Sequence, residues 1–436
     1  MRKCEEKMMI KNRVIKNASW IIGCKIIQSA LNLFVTMFTA RYLGPSNYGL
    51  ISYAASVVAF FIPIMQLGLT NILVREYVNY PEEEGKITGT ALVMSGLSSI
   101  FTVISVIAFA LVANFNEPET IIVCALYGIS LITQAMEIIQ YWFQAKLLSK
   151  YTAVVSLFSY VIISSYKIFL LVSRKSIYWF AVSYALDYLI ISMALIILYH
   201  KLGGMKLSIS KSTALRMWNQ GKHYILSSLM VTIFTQTDRV MIKLMVDDAS
   251  TGYYSAAVTC AGLANFVYMA IIDSARPSIF ESKLSNQKAF EKNIVRLYSI
   301  VIWASIVQCV AISLFSPFII NILYGRSYVE AIGVLRVVTW YVTFSFLGSV
   351  RNIWILAEEK QKCLWLINLS GALANIVLNF FLIPVWGMMG AAIASLITQF
   401  FANVIIGFIL KPIMYNNFLM FKGFNPKYIF ELVKRR

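Results

Sequence analysis

The sequence predicts an all-α, polytopic membrane protein with twelve transmembrane helices in two six-helix lobes around a central cavity. Three observations support this fold class. Of the 436 residues, 59% are hydrophobic and only 13% are charged, with a mean hydropathy of +0.71, which is too apolar for a series of soluble domains. Apolar windows long enough to span a bilayer recur along the chain. One long basic connection divides these windows into two equal sets.

The apolar windows define the predicted spans, because a spanning helix needs about 20 residues. The seventh window contains Asp238 and Arg239, and the tenth contains Arg336 and Arg351. The first window is expected to remain as a span, since it is longer than a signal-peptide core and lacks an obvious small-residue cleavage site. The windows lie near 17–39, 48–74, 87–113, 119–143, 151–172, 177–199, 218–242, 250–273, 294–316, 331–356, 362–384 and 387–410.

The second predicted span follows a tight turn. Gly44 and Pro45 suit such a turn, since glycine accepts positive φ and proline presets its own φ. Residues 48–74 carry no charge, and Arg75 and Glu76 follow directly. We therefore expect one helix that begins after the turn and ends at this charged pair, with Arg75 as a cytoplasmic anchor.

The distribution of Lys and Arg orients the spans. Basic residues concentrate in the N-terminal segment, in the connection at 200–222 and in the tail at 412–436, and they are sparse in the connections of the opposite side. Because cytoplasmic loops carry the excess of Lys and Arg, both termini are expected in the cytoplasm. This placement also accounts for most of the formal charge of +18. Membrane lipids, and no nucleic acid, are therefore the expected surroundings.

The basic connection separates two predicted lobes. We predict an N-terminal lobe at 1–199, a cytoplasmic connection at 200–222 that overlaps the start of span seven, a C-terminal lobe at 218–411 and a basic tail at 412–436. A short repeat supports the division. YGLISYAAS at 48–56 and TGYYSAAVT at 251–259 pair Gly49 with Gly252, and each begins the second helix of its lobe. Parallel repeats with the substrate path between them are a recurrent transporter plan.

Sequence motifs of familiar enzymes are not found. The chain has no Walker A lysine motif, no GxSxG, no HExxH and no zinc-ligand spacing. Its six cysteines form no CxxC pair, and we interpret them as small core residues. No metal site and no bound cofactor are therefore predicted. The predicted outer connections are also too short for a catalytic domain, so we predict a protein that is not an enzyme.

Polar residues inside the spans are the functional candidates. Each would cost roughly 2.5–3.5 kcal/mol if it faced lipid at mid-bilayer, so each should face protein or water. In span one, Lys25, Gln28 and Asn32 recur at helical spacing and are candidates to line a cavity. The alternative is a packed polar seam, with Lys25 snorkelling to the membrane edge. In span eleven, we interpret Asn368, Asn375 and Asn379 as interhelical hydrogen bonders.

Three acidic residues inside spans are candidates to bind a coupling ion. They are Glu137 in span four, Asp187 in span six and Asp238 in span seven. Each has a structural alternative. Glu137 could be a hydrogen-bonded carboxylate, and Asp187 could form a buried ion pair with Lys167. Asp238 could neutralise a cation on a neighbouring helix or lie at the outer interface.

Basic residues in and beside the spans favour an anionic substrate. Arginine matches phosphate oxygens with two parallel hydrogen bonds and stays charged. An exporter of drug cations would be expected to use acidic groups instead. Arg351 could alternatively be a cytoplasmic anchor. The basic candidates are Lys25, Arg41, Arg239, Arg336 and Arg351.

Four stretches resemble a known family. ARYLGPSNYGLISYA at 40–54, followed by QLGLTNILVREY at 66–77, resembles the bacterial O-antigen and polysaccharide repeat-unit flippases of the multidrug/oligosaccharidyl-lipid/polysaccharide exporter superfamily. TDRVMIKLMVDDASTGYYSAA at 237–257 is similar to the start of that family's second lobe. VWGMMGAAIASLITQF at 385–400 is similar to its last-helix signature. The second-lobe turn departs from the family, since it reads VDDAS where a glycine is common.

The resemblance implies a flippase in the bacterial inner membrane. Such a protein carries undecaprenyl-diphosphate-linked oligosaccharide, for the O-antigen of lipopolysaccharide or for a capsule, between leaflets by alternating access. It implies a cationic cavity, often an H⁺ or Na⁺ gradient, and a polysaccharide polymerase and a chain-length regulator as partners. For the cavity this sequence offers Lys25, Gln28, Asn32, Arg41, Arg239, Arg336 and Arg351, and for the ion Glu137, Asp187 and Asp238.

Two other functions remain as alternatives. A multidrug antiporter of the same superfamily would export organic cations and depend on buried carboxylates. A membrane polymerase or ligase acting on the same glycan would be expected to carry a large periplasmic loop with catalytic residues, which the short outer connections argue against.

Overall fold

The computed structural model describes residues 2–428, apart from the side chains of residues 2–22, Lys25 and Ala264, and this part of the chain contains no β-strand. The predicted all-α fold class is confirmed. The helices are α1 (Arg2–Met65), α2 (Leu73–Asn79), α3 (Glu84–Ala113), α4 (Pro118–Gly128), α5 (Ser130–Met136), α6 (Gln140–Ala145), α7 (Ser149–Val172), α8 (Ile177–Lys201), α9 (Lys211–Met245), α10 (Asp248–Ala261), α11 (Asn265–Ser285), α12 (Gln287–Leu323), α13 (Ala331–Ala357), α14 (Lys362–Phe400), α15 (Ile406–Ile409) and α16 (Met414–Lys422).

Many of these helices can cross a membrane. Within the described residues, eight helical stretches are long and apolar enough, or nine if the bent pair α10 and α11 counts as one span. Two stretches, Ile26–Met65 with 40 residues and Lys362–Ile409 with 48, contain a backbone break at Gly44 and Gly387, respectively. Each is long enough for two spans of about 20 residues. A multi-pass membrane protein is thus confirmed, whereas the number twelve stays a prediction.

The turn predicted at Gly44 is present. Gly44 has φ 75° and ψ 173°, inside what is otherwise the continuous helix α1. A positive φ of this kind is readily adopted only by glycine. The turn therefore separates the first two predicted windows.

The prediction of one helix as far as Val74 is wrong. Helix α1 ends at Met65, and Leu67 and Gly68 have φ of 52° and 69° before a short 3₁₀ turn. A Cβ atom on Gly68 would lie 2.1 Å from the carbonyl oxygen of Gly221. Hydropathy does not detect this break, because close packing against α9 produces it.

The fourth predicted span is also interrupted. Helices α4 and α5 meet at Ile129, and a 3₁₀ turn at Glu137–Ile139 separates α5 from α6. A 3₁₀ stretch inside a helical region often marks a functional site or local strain. The interruption places Glu137 at an irregular point of the backbone.

The chain forms two compact units. The N-terminal unit comprises Met1–Leu43 and Leu50–Thr232, and the C-terminal unit comprises Gly44–Gly49 and Ile233–Arg436. Helix α9 therefore contributes residues to both units. The lobe boundaries given by the sequence stay a prediction.

In the N-terminal unit, the connection after α8 is fixed against α3. The Ser208 amide donates a hydrogen bond to the Gly85 carbonyl oxygen at 3.2 Å, and the Ser210 amide donates to Thr90 Oγ1 at 3.0 Å. A Cβ atom on Gly85 would lie 2.2 Å from a carbonyl oxygen of this connection. The connection therefore belongs to the packed structure of this unit.

A charged network holds the start of α9 in the same unit. Arg216 donates from Nε to Glu76 Oε2 at 2.9 Å and from Nη2 to Glu83 Oε2 at 2.8 Å. Its guanidinium lies 4.0 Å from the centre of the Tyr80 ring, within the range of a cation–π interaction. Glu76 is 1% exposed and also accepts a hydrogen bond from Gln220 at 3.0 Å. Arg216 thus neutralises a buried carboxylate.

Arg216→Ala is expected to destabilise the protein by about 3–5 kcal/mol, because removing one partner of a buried ion pair leaves the other charge uncompensated. The measurement is the thermal unfolding midpoint of the purified protein in detergent. Lys211→Ala, at an exposed position of the same helix, is the control and should change little. The double variant Arg216→Met with Glu76→Gln should recover most of the loss. Equal stability of the Arg216→Ala and Lys211→Ala variants would contradict the expectation.

In the C-terminal unit, the segment Gly44–Gly49 packs against α10 at two glycines. A Cβ atom on Gly252 would lie 2.0 Å from the carbonyl oxygen of Pro45, and one on Gly49 would lie 1.8 Å from that of Asp248. These are the two glycines that the sequence repeat pairs. The approach of the two backbones therefore requires glycine at both positions.

Candidate functional site

Asp238 lies at the centre of a buried polar cluster in the C-terminal unit. It is 6% exposed and lies on α9. Its Oδ1 accepts hydrogen bonds from Asn375 Nδ2 at 3.0 Å and Asn379 Nδ2 at 2.7 Å. Its Oδ2 accepts hydrogen bonds from the hydroxyls of Tyr254 and Ser395. Four uncharged donors therefore surround one carboxylate, and within residues 2–428 none of its direct partners is a cation.

Helix α14 supplies three of these four donors because it is broken. Asn375 and Asn379 are one turn apart and so face the same side of the helix. Gly387 then interrupts the helix with φ 54° and ψ −136°. Ser395, beyond the break, contacts the same carboxylate as the two asparagines. The break thus brings two segments of α14 to one point.

One acceptor in the cluster has no hydrogen-bond partner. Asn379 Oδ1 is buried and unpaired within the described part of the chain. Such atoms are rare in folded proteins and call for an explanation, such as a bound water or ion. Carboxylate, amide and hydroxyl oxygens are the ligands that hard cations prefer. The Asp238 carboxylate and the unpaired Asn379 Oδ1 are therefore the oxygens of this cluster that a small cation or a proton could use, once a hydroxyl or amide donor turns away from the carboxylate.

The sequence identified part of this cluster. Asp238 was a candidate, and Asn375 and Asn379 are interhelical hydrogen bonders as predicted, with Asp238 as their partner. Tyr254 and Ser395 were missed. Both lie in the stretches 237–257 and 385–400 that carry the family resemblance, so inspection of the polar residues in those stretches could have found them.

The other two acidic candidates lie in the N-terminal unit. Asp187, on α8, is half-buried, and its Oδ1 accepts a hydrogen bond from Ser159 Oγ at 2.6 Å. Within the described residues it forms no direct ion pair with Lys167, although the two interact electrostatically. Glu137 is half-buried in the 3₁₀ turn between α5 and α6. Ion binding by either residue stays a prediction.

The first span contributes one polar contact to the N-terminal unit. Asn32 Oδ1 accepts hydrogen bonds from the Tyr160 hydroxyl at 2.9 Å and from Thr36 Oγ1 at 3.2 Å. Gln28 is half-buried. The side chain of Lys25 lies outside the described residues. A cavity-lining role for these residues stays a prediction.

Three arginine candidates keep at least part of their side chain accessible. Arg41 and Arg336 are exposed and Arg239 is half-buried. Arg239 donates to Gln236 Oε1 at 2.9 Å and to Ser255 Oγ at 3.2 Å. Arg336 Nε donates to a serine hydroxyl of α12 at 3.0 Å. Arg239 and Arg336 thus share none of these hydrogen-bond partners.

Arg351 differs from the other arginines, because it is only 3% exposed. Its Nη1 donates to the Ala402 carbonyl oxygen at 2.6 Å, and its Nη2 donates to Asn403 Oδ1 at 3.1 Å. Ala402 lies in a π-helical turn, Phe401–Ile405, after α14. A π-turn disturbs the regular backbone hydrogen bonding of a helix. These contacts give Arg351 a structural role, and its contact with substrate stays a prediction.

The fold defines a class, the multi-pass α-helical membrane proteins. The chain belongs to the family described as polysaccharide biosynthesis protein, whose model matches residues 14–283. The resemblance to polysaccharide repeat-unit flippases is thereby confirmed.

Individual relatives agree with this assignment. The chain is 22% identical to a putative O-antigen transporter of Shigella flexneri, over 87% of this chain and 94% of the relative. It is 21% identical to the capsular polysaccharide biosynthesis protein CapF of Staphylococcus aureus, over 92% of this chain and 100% of the relative. Among solved structures, the lipid II flippase MurJ in its inward closed conformation matches with a TM-score of 0.71 at 16% identity, covering 88% of this chain and 85% of that one. This last likeness shows a shared fold.

Proposed function

We propose that the protein is an ion-coupled flippase for lipid-linked oligosaccharide. It carries undecaprenyl-diphosphate-linked repeat units of an O-antigen or a capsule from the cytoplasmic to the periplasmic leaflet by alternating access. Membership of the polysaccharide biosynthesis family supports the class of cargo. The names of the Shigella flexneri and Staphylococcus aureus relatives agree with it.

The buried cluster at Asp238 is the observation that supports coupling of transport to an ion gradient. A carboxylate inside a membrane protein is costly and is usually retained for function. Here its partners are neutral oxygen and nitrogen groups, and one carbonyl oxygen beside it, Asn379 Oδ1, is unpaired. A bound Na⁺ or H⁺ would supply the positive charge that these side chains lack. Asn375 and Ser395 would then orient the carboxylate.

The accessible arginines support an anionic cargo. A lipid diphosphate presents several oxygens with negative charge, and guanidinium groups bind such oxygens with paired hydrogen bonds. Arg336, Arg239 and Arg41 are the strongest candidates, because none of the three is fully buried. Arg351 is buried among backbone and side-chain acceptors, which suits a structural role instead.

Two substitutions separate these roles. Arg336→Ala is expected to lower surface polysaccharide by about tenfold, the effect of losing about 1.4 kcal/mol of binding, while the protein level stays unchanged. Arg351→Ala is expected to lower the protein level itself, because the carbonyl of Ala402 loses its donor. Surface polysaccharide by gel and membrane protein by immunoblot are the measurements. Full export from the Arg336→Ala variant would remove Arg336 from the substrate path.

Deletion of the gene tests the function as a whole. The expected result is loss of surface polysaccharide with accumulation of lipid-linked repeat units in the cytoplasmic leaflet. Normal export in the deletion strain would overturn the proposal. The proposal also places the chain in the bacterial inner membrane with both termini cytoplasmic, next to a polymerase and a chain-length regulator. Reporter fusions at each terminus check the orientation.

A further inference from the structure

A cavity in the N-terminal unit lies where two helical regions are broken. After α1 the chain makes a 3₁₀ turn at Leu69–Asn71, and between α5 and α6 it makes another at Glu137–Ile139. Irregular backbone at membrane depth occurs where it is buried in protein or lines a polar cavity. The cavity has a volume of about 20 Å³, and Gln66, Thr70 and Glu137 from the two breaks line it.

Two buried polar atoms of this cavity lack a hydrogen-bond partner. Ser95, on α3, is 0% exposed, and its Oγ is unpaired within residues 2–428. The same holds for Gln134 Oε1 on α5. Both side chains line the cavity together with Glu137. Two buried unpaired oxygens and a carboxylate thus belong to side chains that share one small space, as expected where a water molecule or a cation is bound.

The side chains that line the cavity favour a cation as the ligand. A carboxylate, an amide oxygen and hydroxyls form an all-oxygen set, which suits a hard cation. Within the described residues no Lys or Arg forms an ion pair with Glu137. The charged group that acts on Glu137 is Asp187, which is also acidic. A space of about 20 Å³ admits a particle the size of a water molecule, which suits one small cation.

We propose that this cavity binds one Na⁺ ion through Glu137, Gln134 Oε1, Ser95 Oγ and Thr70 Oγ1. The site is separate from the Asp238 cluster, since it is built entirely from residues of the N-terminal unit. It goes beyond the proposed function by giving the chain a second cation site. The two sites can be tested independently.

The number of bound sodium ions tests the site directly. Radioactive sodium binding to the full-length purified protein in detergent should give one ion per chain from this site, and two if Asp238 binds Na⁺ and not H⁺. Glu137→Gln should reduce the number by one, and Glu119→Gln, at an exposed position of α4, should leave it unchanged. A Glu137→Gln protein that binds as much sodium as the wild type would overturn the site. If Asp238→Asn leaves the number unchanged while Glu137→Gln lowers it, sodium coupling at Asp238 fails and this site stands.

A second variant keeps the test informative if Glu137→Gln folds poorly. Ser95→Ala removes one ligand oxygen and keeps every charge, so it should weaken sodium binding by about tenfold. Without sodium it should be as stable as the wild type or more stable, because the unpaired hydroxyl is gone. At a sodium concentration about 100 times Kd, the wild-type unfolding midpoint should rise by about 3 °C over choline chloride. An equal rise in the Ser95→Ala protein at every sodium concentration would contradict the site.

Discussion

Asp238→Asn is expected to abolish polysaccharide export while the protein remains in the membrane. The substitution is nearly isosteric, and the Tyr254 and Ser395 hydroxyls can turn to accept from the new amide, but it removes the only charge among Asp238 and its four direct partners. Loss of one coupled charge removes about 2.3 kcal/mol of driving energy per 100 mV of membrane potential, roughly a fiftyfold factor in transport. The measurement is surface polysaccharide normalised to membrane-inserted protein.

Asp273→Asn is the matched control for this experiment. Asp273 is an exposed acid of α11 that pairs with Arg276 at 3.1 Å, and exposed pairs contribute little to stability. Export should stay close to the wild-type value in this variant. Undiminished export from the Asp238→Asn protein would remove Asp238 from the coupling mechanism.

Gly252→Ala is expected to destabilise the C-terminal unit by about 1–3 kcal/mol, the usual effect of overpacking. The added methyl group would lie 2.0 Å from the Pro45 carbonyl oxygen and 3.1 Å from the Gly49 amide nitrogen. Both are backbone atoms, so no side chain can turn away to make room. The unfolding midpoint of the purified protein measures the effect, and export should fall with it.

A glycine in open space gives the opposite expectation. Gly96, inside α3, has nothing within 4 Å of the position of an added Cβ. Gly96→Ala should therefore stabilise the protein slightly, by roughly 0.5–1 kcal/mol, because alanine loses less conformational freedom in a helix. Equal effects of the two glycine substitutions would contradict the close backbone contact at Gly252.

Local sequence features were sufficient for several parts of this structure. The turn at Gly44 could be predicted because only glycine tolerates its φ, and the long helices because apolar windows of this length favour membrane spans. The repeat paired Gly49 with Gly252, which pack in one unit. Asp238 could be selected as a functional candidate because a charged residue inside an apolar window is costly and is usually retained for function.

Features that depend on distant contacts could not be predicted. The break after Met65 results from packing of Gly68 against Gly221, and hydropathy carries no information about such contacts. Ser395 contacts Asp238 although 157 residues separate the two in sequence. The contact depends on the break in α14, and the apolar sequence around this break gives no sign of it. The burial of Arg351 depends on a π-turn, which no local pattern indicated. Functional candidates could therefore be named from the sequence, but their partners could not.

Translocation by the purified protein is the direct test of flippase function. Vesicles containing the protein and a fluorescent lipid-linked oligosaccharide are given a Na⁺ or H⁺ gradient, and the fraction of oligosaccharide accessible to an external quencher is followed over time. An ion-coupled flippase should give rapid, gradient-dependent redistribution between leaflets with the wild-type protein and none above background with Asp238→Asn. Redistribution at the same rate in protein-free vesicles and in wild-type vesicles would contradict it.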